Sequence, residues 1–285
     1  MATLIDGRTV AKEVNKNTAE RVKRLANEGI VPGLAVILVG DDPASKIYTR
    51  MKDKKAKKLG IHSVLSTYPE DIRQDELLHD IRRFNADENI NGILIQEPLP
   101  KHLDGDKLLN AIDPGKDVDG FHPFNVGCLY NNVNVNYPVS CTPRGIMTLL
   151  KHYRVKLDGA RALVIGRSIL VGKPMAALLE NANATVTVAN SHTQNLTELT
   201  KQADILIVAA GVKHLITGEM VKQGAVVIDV GMHRLADKTL TGDVDFDSVA
   251  PVAKMITPVP GGVGPMTIAS LMEQTVDLTE WSHNG

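Results

Sequence analysis

The sequence predicts an α/β protein of two domains on three grounds: its apolar runs, the stretches between them, and its length. Runs rich in Val, Ile and Leu lie at residues 34–39, 93–95, 162–165, 185–188, 205–209 and 226–230. Runs that are apolar on both faces are typical of buried parallel strands. A chain of 285 residues, 43% of them hydrophobic, can bury two cores with a cleft between them.

Longer amphipathic stretches separate these runs and are predicted to be helices. They lie at residues 10–26, 45–59, 75–84 and 174–179. Strand and helix therefore alternate along the chain, which indicates repeated βαβ units. Such units form parallel sheets with helices on their faces.

Two breaks in this alternation predict where the domains meet. The first is the Asn-rich segment 130–137, after which Thr142 is predicted to cap a helix that begins at Pro143. The second is the Pro- and Gly-rich segment 258–265. An apolar helix over residues 266–276 follows it and is expected to pack on the first domain.

These breaks define the expected domains. Residues 1–140 are expected to form an N-terminal α/β substrate domain, completed by the C-terminal helix 266–285. Residues 141–265 are expected to form a Rossmann-like domain, which is a doubly wound parallel sheet that binds a dinucleotide.

Composition excludes several classes of function. Lys and Arg number 32 and Asp and Glu 33, and the formal net charge of -1 gives no field that favours nucleic acid or an anionic membrane. The N-terminus lacks the basic and apolar regions of a signal peptide, and no apolar run approaches the roughly 20 residues of a membrane span. We therefore expect a cytosolic protein that binds a small molecule.

Cysteine and histidine usage predicts neither a disulfide nor a metal site. Cys128 and Cys141 form no CxxC pair, and the nine histidines are scattered without ligand spacing. Both cysteines are expected to be reduced and to take no part in chemistry.

The loop from Gly166 to Gly172 is a candidate nucleotide site. It follows the predicted strand 162–165 and precedes a helix with Pro174 near its first turn. Such a helix start presents free backbone N–H groups and a partial positive charge to a phosphate. Because Ser168 replaces the middle glycine of GxGxxG, the loop by itself also fits a plain turn between strand and helix.

The next predicted strand favours NADP over NAD. NAD sites carry an acidic residue at the end of this strand, but residues 189–193 contain none. Arg167 can pair with a 2′-phosphate and Ser191 can donate a hydroxyl. His192 fits either a phosphate ligand or a solvated turn, and Met232 either a cofactor contact or the core. The predicted cofactor-binding residues are Gly166, Arg167, Ser168, Val171, Gly172, Ser191 and Met232.

Two side chains of the first domain point to a substrate site. Tyr48 and Lys52 lie four residues apart on a predicted helix and therefore on one face. Five further lysines crowd this helix, so the residues alone favour a solvated Lys52. Short-chain dehydrogenases also contain Tyr-x-x-x-Lys, but there it follows the nucleotide loop, whereas here it precedes the loop by more than a hundred residues.

Longer motifs resemble one family. The segments GILIQEPLP (92–100), KDVDG (116–120) and TPVPGGVGPMT (257–267), with the features above, closely resemble the bifunctional methylenetetrahydrofolate dehydrogenase/methenyltetrahydrofolate cyclohydrolase family. The resemblance runs nearly end to end, from LIDG (4–7) into the last helix. One departure is Glu97, which stands where the family usually has leucine and adds a negative charge beside the expected substrate site.

This resemblance implies two reactions at one site. NADP+ would oxidise 5,10-methylenetetrahydrofolate to 5,10-methenyltetrahydrofolate, and water would then convert that product to 10-formyltetrahydrofolate. The resemblance also implies a homodimer, although no residue identifies the interface.

Four side chains acquire roles from the same resemblance: Lys52 is the catalytic lysine, Tyr48 packs on the folate, Gln96 positions and tunes Lys52, and Asp119 holds the pterin. A lysine with its ordinary pKa of about 10.4 is a poor base at neutral pH, so it requires desolvation and a neutral partner such as Gln96. Without the resemblance, Asp119 fits a plain turn residue before Gly120. The other expected folate contacts are Ile95, Glu97, Pro260, Gly261, Gly262, Val263 and Gly264.

Two alternatives stay open on the sequence. One is an oxidoreductase like shikimate dehydrogenase or an amino-acid dehydrogenase, which would not explain the GILIQEPLP and TPVPGGVGPMT segments. The other is a noncatalytic NADP-binding sensor, which would be expected to lack Lys52, Gln96 or Asp119, and all three are present.

Overall fold

A computed structural model describes residues 2–284 and shows strands and helices in alternation. The strands are β1 (Thr3–Leu4), β2 (Gly33–Val39), β3 (His62–Tyr68), β4 (Gly92–Ile95), β5 (Arg161–Ile165), β6 (Thr185–Ala189), β7 (Ile205–Val208), β8 (Val226–Asp229), β9 (His233–Arg234), β10 (Leu240–Thr241) and β11 (Met255–Ile256). The helices are α1 (Gly7–Asn27), α2 (Pro43–Leu59), α3 (Gln74–Ala86), α4 (Gly105–Leu109), α5 (Pro123–Tyr130), α6 (Cys141–His152), α7 (Gly172–Asn181), α8 (Leu196–Thr200), α9 (Phe246–Val249) and α10 (Val263–Asn284), and a 3-10 helix spans Gly218–Met220.

The chain divides into two compact units. The first, called here the nucleotide unit, takes in the chain up to Lys12 and Thr142–Thr267. The second, called here the lysine unit, takes in Glu13–Cys141 and the chain from Ile268. The α/β fold with two units is therefore as predicted.

A three-stranded parallel sheet forms the centre of the lysine unit, in the order β3-β2-β4. All seven residues of β2 are buried, because helices cover both faces of the sheet. Leu34 and Val36 pack with residues of α1, α2 and α10, whereas Ala35 and Ile37 pack with residues of α3. Each fully buried Leu or Ile contributes about 1.5–3 kcal/mol to stability.

Strand β3 is missing from the sequence prediction. Its residues read HSVLSTY, with polar side chains interrupting the apolar ones, and most of the strand is only partly buried. It is an edge strand that pairs with β2 alone, from His62 opposite Gly33 to Tyr68 opposite Val39. An edge position requires no continuous apolar run, so the apolar pattern of the sequence does not reveal this strand.

A six-stranded parallel sheet forms the centre of the nucleotide unit, in the order β1-β11-β8-β7-β5-β6. One of its two edge strands, β1, comes from the N-terminal part of the chain, where Thr3 lies opposite Met255 and Leu4 opposite Ile256. A two-stranded antiparallel ribbon, β9 with β10, lies outside this sheet.

The N-terminal strand makes the compact units differ from the predicted division. Residues up to Lys12 were expected with 13–140, but they belong to the nucleotide unit because β1 hydrogen-bonds to β11. A strand of two residues has no periodicity that a sequence pattern could reveal. Met1 and Gly285, which the predicted division includes, lie outside the described residues.

Two predicted helix starts are wrong by two or three residues. Helix α6 begins at Cys141 instead of Pro143, so Thr142 is not its cap; the Thr142 hydroxyl oxygen lies 2.9 Å from that of Thr267, at hydrogen-bonding distance. Helix α10 begins at Val263 instead of Met266.

Both sheets share one topological feature. The strand order reverses at β2 in one sheet and at β5 in the other, because each lies between the two strands that follow it in the chain. In open parallel sheets, ligands bind beyond the carboxyl ends of the strands at such a reversal. The segments that follow β2 and β4, and those that follow β5 and β7, are therefore where sites are expected.

No helix within residues 2–284 combines the length and apolar character that crossing a membrane requires.

Candidate active site

Helix α2 places Tyr48 and Lys52 beside the reversal in the lysine unit. The helix follows β2 directly and begins with an N-cap, in which an Asp42 carboxylate oxygen accepts the Ser45 backbone N–H at 2.7 Å. Its last turn ends at Gly60, which adopts a left-handed φ of 84°. Lys52 is only 7% exposed, so the solvated lysine favoured by the crowded helix is wrong.

A neutral amide holds the Lys52 amine. Lys52 Nζ donates to Gln96 Oε1 at 3.0 Å, and Gln96 Nε2 donates to the Glu97 carbonyl oxygen at 2.7 Å. The second bond fixes the amide so that its oxygen faces the lysine. Lys52 Nζ also lies 5.3 Å from the centroid of the Tyr48 ring, within the range of a cation–π contact.

Burial and a nearby acid act in opposite directions on Lys52. Burial lowers the pKa of Lys52, and the negative charge of Asp119 partly offsets this. Burial raises the pKa of Asp119 to about 6, although the charge of Lys52 opposes the rise. Burial also raises the pKa of Tyr48. The site therefore contains an amine that gives up its proton more readily than a free lysine does.

The segment that carries Asp119 is fixed to the edge of β4. Ile93 N–H donates to the Lys116 carbonyl oxygen at 2.7 Å. Asp117 is buried, and its carboxylate accepts the His122 backbone N–H at 2.7 Å and the Asn125 side-chain amide at 2.9 Å. Sequence reasoning treated KDVDG as one motif and did not separate the anchoring role of Asp117 from the position of Asp119.

Gly120 and Gln274 fix the other side of Asp119. Gly120 has a φ of 68°, and a Cβ there would lie 2.5 Å from the Val139 carbonyl carbon. Gln274 of α10 is fully buried; its Nε2 donates to the carbonyl oxygens of Val118 at 2.6 Å and Val139 at 2.8 Å, and its Oε1 accepts Val139 N–H at 3.0 Å. Sequence reasoning missed Gln274, although an amide in an otherwise apolar helix was a detectable signal.

Ile95 and Glu97 flank Gln96 at the end of β4. Ile95 is partly buried and Glu97 is exposed. A Glu97 carboxylate oxygen accepts the Leu99 backbone N–H at 3.0 Å. The carboxylate that stands where the family usually has leucine therefore hydrogen-bonds to the backbone of its own loop.

The Pro260–Gly264 loop belongs to the nucleotide unit and packs there against the start of α1. A Cβ at Gly7 would lie 1.7 Å from the Gly262 carbonyl oxygen, and Gly261 has a φ of 114°. Gly262 N–H donates to the Pro258 carbonyl oxygen at 2.8 Å, which closes the turn before Val263 begins α10. The glycines are thus needed for backbone packing whatever ligand the loop meets.

The Gly166–Gly172 loop folds so that its two ends touch. A Cβ at Gly172 would lie 2.2 Å from the Gly166 carbonyl oxygen, and a Cβ at Gly166 would lie 2.3 Å from the Ala209 carbonyl oxygen. Ser168 Oγ accepts the Val171 backbone N–H at 3.2 Å, which stabilises the turn before α7 starts at Gly172. A tight loop between a strand and the start of a helix is an arrangement that can hold a phosphate.

Arg167 and Ser191 follow neighbouring strands at the same edge. Ile165 lies opposite Ala189 in the sheet, and each of the two exposed side chains lies two residues beyond its strand's end. The turn after β6 contains no acid; Asn190 Oδ1 accepts the His192 backbone N–H at 3.0 Å instead. This edge can therefore accept an anionic group.

Met232 follows β8 and is 62% exposed. The interpretation of Met232 as a core residue is therefore wrong. The structure brings Met232 to the same sheet edge as the Gly166–Gly172 loop, since both follow carboxyl ends of parallel strands.

No group of three or more His, Cys, Asp or Glu side chains within residues 2–284 has the arrangement of a metal site. Cys128 and Cys141 are buried free thiols.

Comparison with known proteins assigns the chain to a family. A model of the tetrahydrofolate dehydrogenase/cyclohydrolase catalytic domain matches residues 5–119, and one of the NAD(P)-binding domain of the same family matches residues 140–283. The Bifunctional protein FolD of Levilactobacillus brevis is 61% identical over 99% of this chain and 98% of its own.

Solved structures agree with the sequence matches. A bifunctional FolD methylenetetrahydrofolate dehydrogenase/cyclohydrolase from Campylobacter jejuni has a TM-score of 0.97 at 46% identity, with coverage of 99% of this chain and 100% of that one. The methylenetetrahydrofolate dehydrogenase-cyclohydrolase of Trypanosoma brucei, solved with NADP and an inhibitor, has a TM-score of 0.95 at 39% identity, with coverage of 100% and 99%. This chain therefore belongs to the tetrahydrofolate dehydrogenase/cyclohydrolase family.

Proposed function

We propose that this protein oxidises 5,10-methylenetetrahydrofolate with NADP+ to the 5,10-methenyl compound, and then hydrolyses that compound to 10-formyltetrahydrofolate. The observation that carries the proposal is the buried Lys52 amine bound to the neutral Gln96 amide. Family membership and the NADP-bound relative from Trypanosoma brucei support the choice of substrate and cofactor.

The proposed roles follow from the contacts in the lysine unit. Lys52 assists water in attacking the methenyl carbon, because burial makes its amine available as a base. Gln96 orients Lys52 without adding a charge that would hold it protonated. Tyr48 offers a ring face to the folate, and Asp119 accepts hydrogen bonds from the N–H groups of the pterin. Ile95 and Glu97 border the same site.

Hydrolysis is balanced without any redox partner. Water adds to the methenyl carbon, the bond from that carbon to N5 breaks, and the formyl group stays on N10. One proton of the water ends on N5 and the other is released. A neutral Lys52 is suited to accept the latter proton.

Oxidation requires little from side chains. NADP+ supplies the hydride acceptor when bound, and the protein supplies alignment. We propose that the loop residues Gly166, Ser168, Val171 and Gly172 hold the phosphates, with Met232 beside the cofactor. Arg167 and Ser191 are proposed to bind the 2′-phosphate.

The proposed division of labour follows the units. Folate binding is assigned to the lysine unit and NADP binding to the nucleotide unit, in which β1 forms one edge of the sheet. The Pro260–Gly264 loop is also proposed to contact the folate. A homodimer in the cytosol is also proposed, and light scattering of the purified protein would test the dimer.

A cofactor comparison tests the proposal. Purified protein given methylenetetrahydrofolate should form NADPH, and NADP+ should outperform NAD+ because no acid at residues 189–193 repels the 2′-phosphate. Arg167→Ala should reduce the preference for NADP+ over NAD+. The variant loses the proposed bidentate contact with the 2′-phosphate, which is expected to contribute about 1.5–3 kcal/mol to NADP+ binding. Equal use of the two cofactors by the unmodified protein would contradict the assignment of Arg167 and Ser191.

The same assay separates the alternatives. Lys52→Ala should abolish hydrolysis of the methenyl compound while the protein stays folded. A noncatalytic sensor would bind NADP+ without forming NADPH. An oxidoreductase like shikimate dehydrogenase is disfavoured, because both family models match domains of the tetrahydrofolate family.

A further inference from the structure

One buried carboxylate in the nucleotide unit has no part in the reactions described above. Asp243 is 0% exposed and lies between β10 and α9. Its Oδ2 accepts the backbone N–H groups of Ala210 at 2.7 Å and Gly211 at 2.8 Å. Its Oδ1 lies 2.7 Å from His233 Nε2, and the two form an ion pair when the histidine is protonated. A single side chain thus holds the segment after β7 and the segment after β8.

A second buried carboxylate fixes Asp243 in place. Asp229 Oδ1 accepts the backbone N–H groups of Asp243 and Gly231, each at 3.0 Å, and its Oδ2 accepts that of Val244 at 3.0 Å. Buried carboxylates are stable only when fully hydrogen-bonded, and each of these accepts three donors.

Two glycines leave no space for these carboxylates to move. A Cβ at Gly231 would lie 2.2 Å from Asp243 Oδ1, and a Cβ at Gly242 would lie 1.8 Å from Asp229 Oδ2. The cluster is therefore rigid, and its shape is fixed by close backbone approach.

One of the two segments held by Asp243 lies against the nucleotide loop. Ala209 O would be 2.3 Å from a Cβ at Gly166, so the 209–211 segment packs on the first glycine of the loop. The nucleotide loop follows β5 and the 209–211 segment follows β7. These two strands are neighbours at the point where the strand order reverses. On the other side, His233 directly follows the exposed Met232.

We propose that Asp243 is a positioning residue for the dinucleotide. It holds the 209–211 and 231–233 segments in place at the sheet edge where the cofactor is proposed to bind, and it contacts no reacting atom itself. Because Asp243 takes the N–H groups of Ala210 and Gly211, these are withdrawn from the phosphates, which leaves the phosphates to the 166–172 loop. The inference rests on the proposed function, since NADP+ is its ligand.

Substitution of Asp243 tests the inference. Hydrolysis, which needs no NADP+, is the control for a general loss of the fold. In Asp243→Asn, the amide oxygen can still accept from Ala210 and Gly211, but without charge. Loss of the negative charge at residue 243 is expected to weaken NADP+ binding about three- to tenfold. Asp243→Ala removes the acceptor altogether and is expected to weaken binding more than the Asn variant does. Hydrolysis of the methenyl compound, measured without NADP+, is expected to stay within about twofold.

Asp247→Asn provides the matched control, because it makes the same change on an exposed residue four positions away. It should leave NADP+ affinity unchanged. The dissociation constant for NADP+ is measured by titration calorimetry, and the KM for NADP+ from NADPH formation.

Two results would overturn the role of Asp243. One is equal NADP+ affinity in Asp243→Asn and Asp247→Asn. The other is a parallel fall of hydrolysis and NADP+ binding in Asp243→Asn, which would make Asp243 a general support of the fold. If Asp243→Ala does not fold, the Asn variant decides. Absence of both activities in the unmodified protein would instead reject the proposed function.

Discussion

The Lys52–Gln96 hydrogen bond joins an ionisable amine to a neutral amide, and the neutrality of the partner affects the charge state of the lysine. A carboxylate in place of the amide would favour the protonated amine, because an opposite charge within hydrogen-bonding distance raises a lysine pKa. The amide holds the amine in the same place without that effect.

Gln96→Glu should therefore move hydrolysis to higher pH. The new carboxylate raises the pKa of Lys52, so the neutral amine becomes available only at higher pH, by at least about one pH unit. The measurement is the pH profile of methenyl hydrolysis. Gln202→Glu, which changes an exposed glutamine of the nucleotide unit in the same way, should leave the profile unchanged. A profile of Gln96→Glu that coincides with that of the unmodified protein would reject Lys52 as the base.

Asp119 carries an energetic cost that depends on pH. Burial raises its pKa from 3.8 to about 6, so the folded protein disfavours the ionised form relative to the unfolded chain. The stability that this group contributes is complete below pH 3.8 and is lost as the pH rises through about 6.

Asp119→Asn should consequently stabilise the protein at pH 8 more than at pH 5. The gain is on the order of 1 kcal/mol, because the Asp119 side chain is partly exposed and water screens its charge. Urea unfolding at the two pH values measures it, with Asp247→Asn as an exposed control. A variant that is less stable than the unmodified protein at pH 8 would show that the charge of Asp119 stabilises the fold.

At the scale of elements, helix α2 depends on how it ends. Gly60 has a φ of 84°, and its backbone N–H reaches the carbonyl oxygens of Ala56 and Lys57. A Cβ at Gly60 would lie 3.2 Å from a methyl carbon of Val22, which is tighter than ordinary packing. The end of the helix therefore favours a residue without a side chain.

Gly60→Ala should lower the free energy of unfolding by about 1 kcal/mol or more, because alanine is strained at positive φ. Gly127→Ala is the paired substitution: Gly127 lies within α5 with open space around it, and alanine there should raise the free energy of unfolding by about 0.5–1 kcal/mol. Chemical denaturation of both variants gives the comparison. The same sign for both changes would contradict the assignment of Gly60 to the cap.

Whole-molecule organisation depends on partners that are distant in sequence. Gln274 of α10 hydrogen-bonds to the backbone of Val118 and Val139, which lie 156 and 135 residues away in the sequence. The segments that contain these two residues flank Asp119. Gln274→Leu should cost about 2–4 kcal/mol, because Val139 N–H and the two carbonyl oxygens lose their partner in a buried place. Urea unfolding measures this loss, and the exposed Gln202→Leu should change stability by no more than about 0.5 kcal/mol.

The folate affinity of Gln274→Leu provides a second measurement. A loosened Val118–Gly120 segment should raise the KM for methylenetetrahydrofolate more than the KM for NADP+. A fall in stability without any change in folate KM would show that Gln274 serves the fold alone.

What the sequence could predict follows from the range over which each interaction acts. The strands with continuous apolar runs and the Gly166–Gly172 loop depend on local spacing, so their patterns are readable. The pairing of β1 with β11, the edge strand β3, Gln274 and Asp243 were not predicted, because each depends on a partner that only the folded chain brings close. Lys52 combines a local and a long-range property. The sequence motif around Lys52 is readable, whereas its burial is evident only in the folded chain.

The pairing of the first strand with the eleventh has a consequence for synthesis on the ribosome. Thr3 and Leu4 are synthesised long before their partners Met255 and Ile256. Folding of the lysine unit is delayed as well, because its core includes residues of α10 after Ile268. At translation rates of about 5–20 residues per second, the N-terminal strand stays unpaired for roughly 10–50 seconds. Neither unit can complete its core until Ile256 and the residues of α10 have emerged.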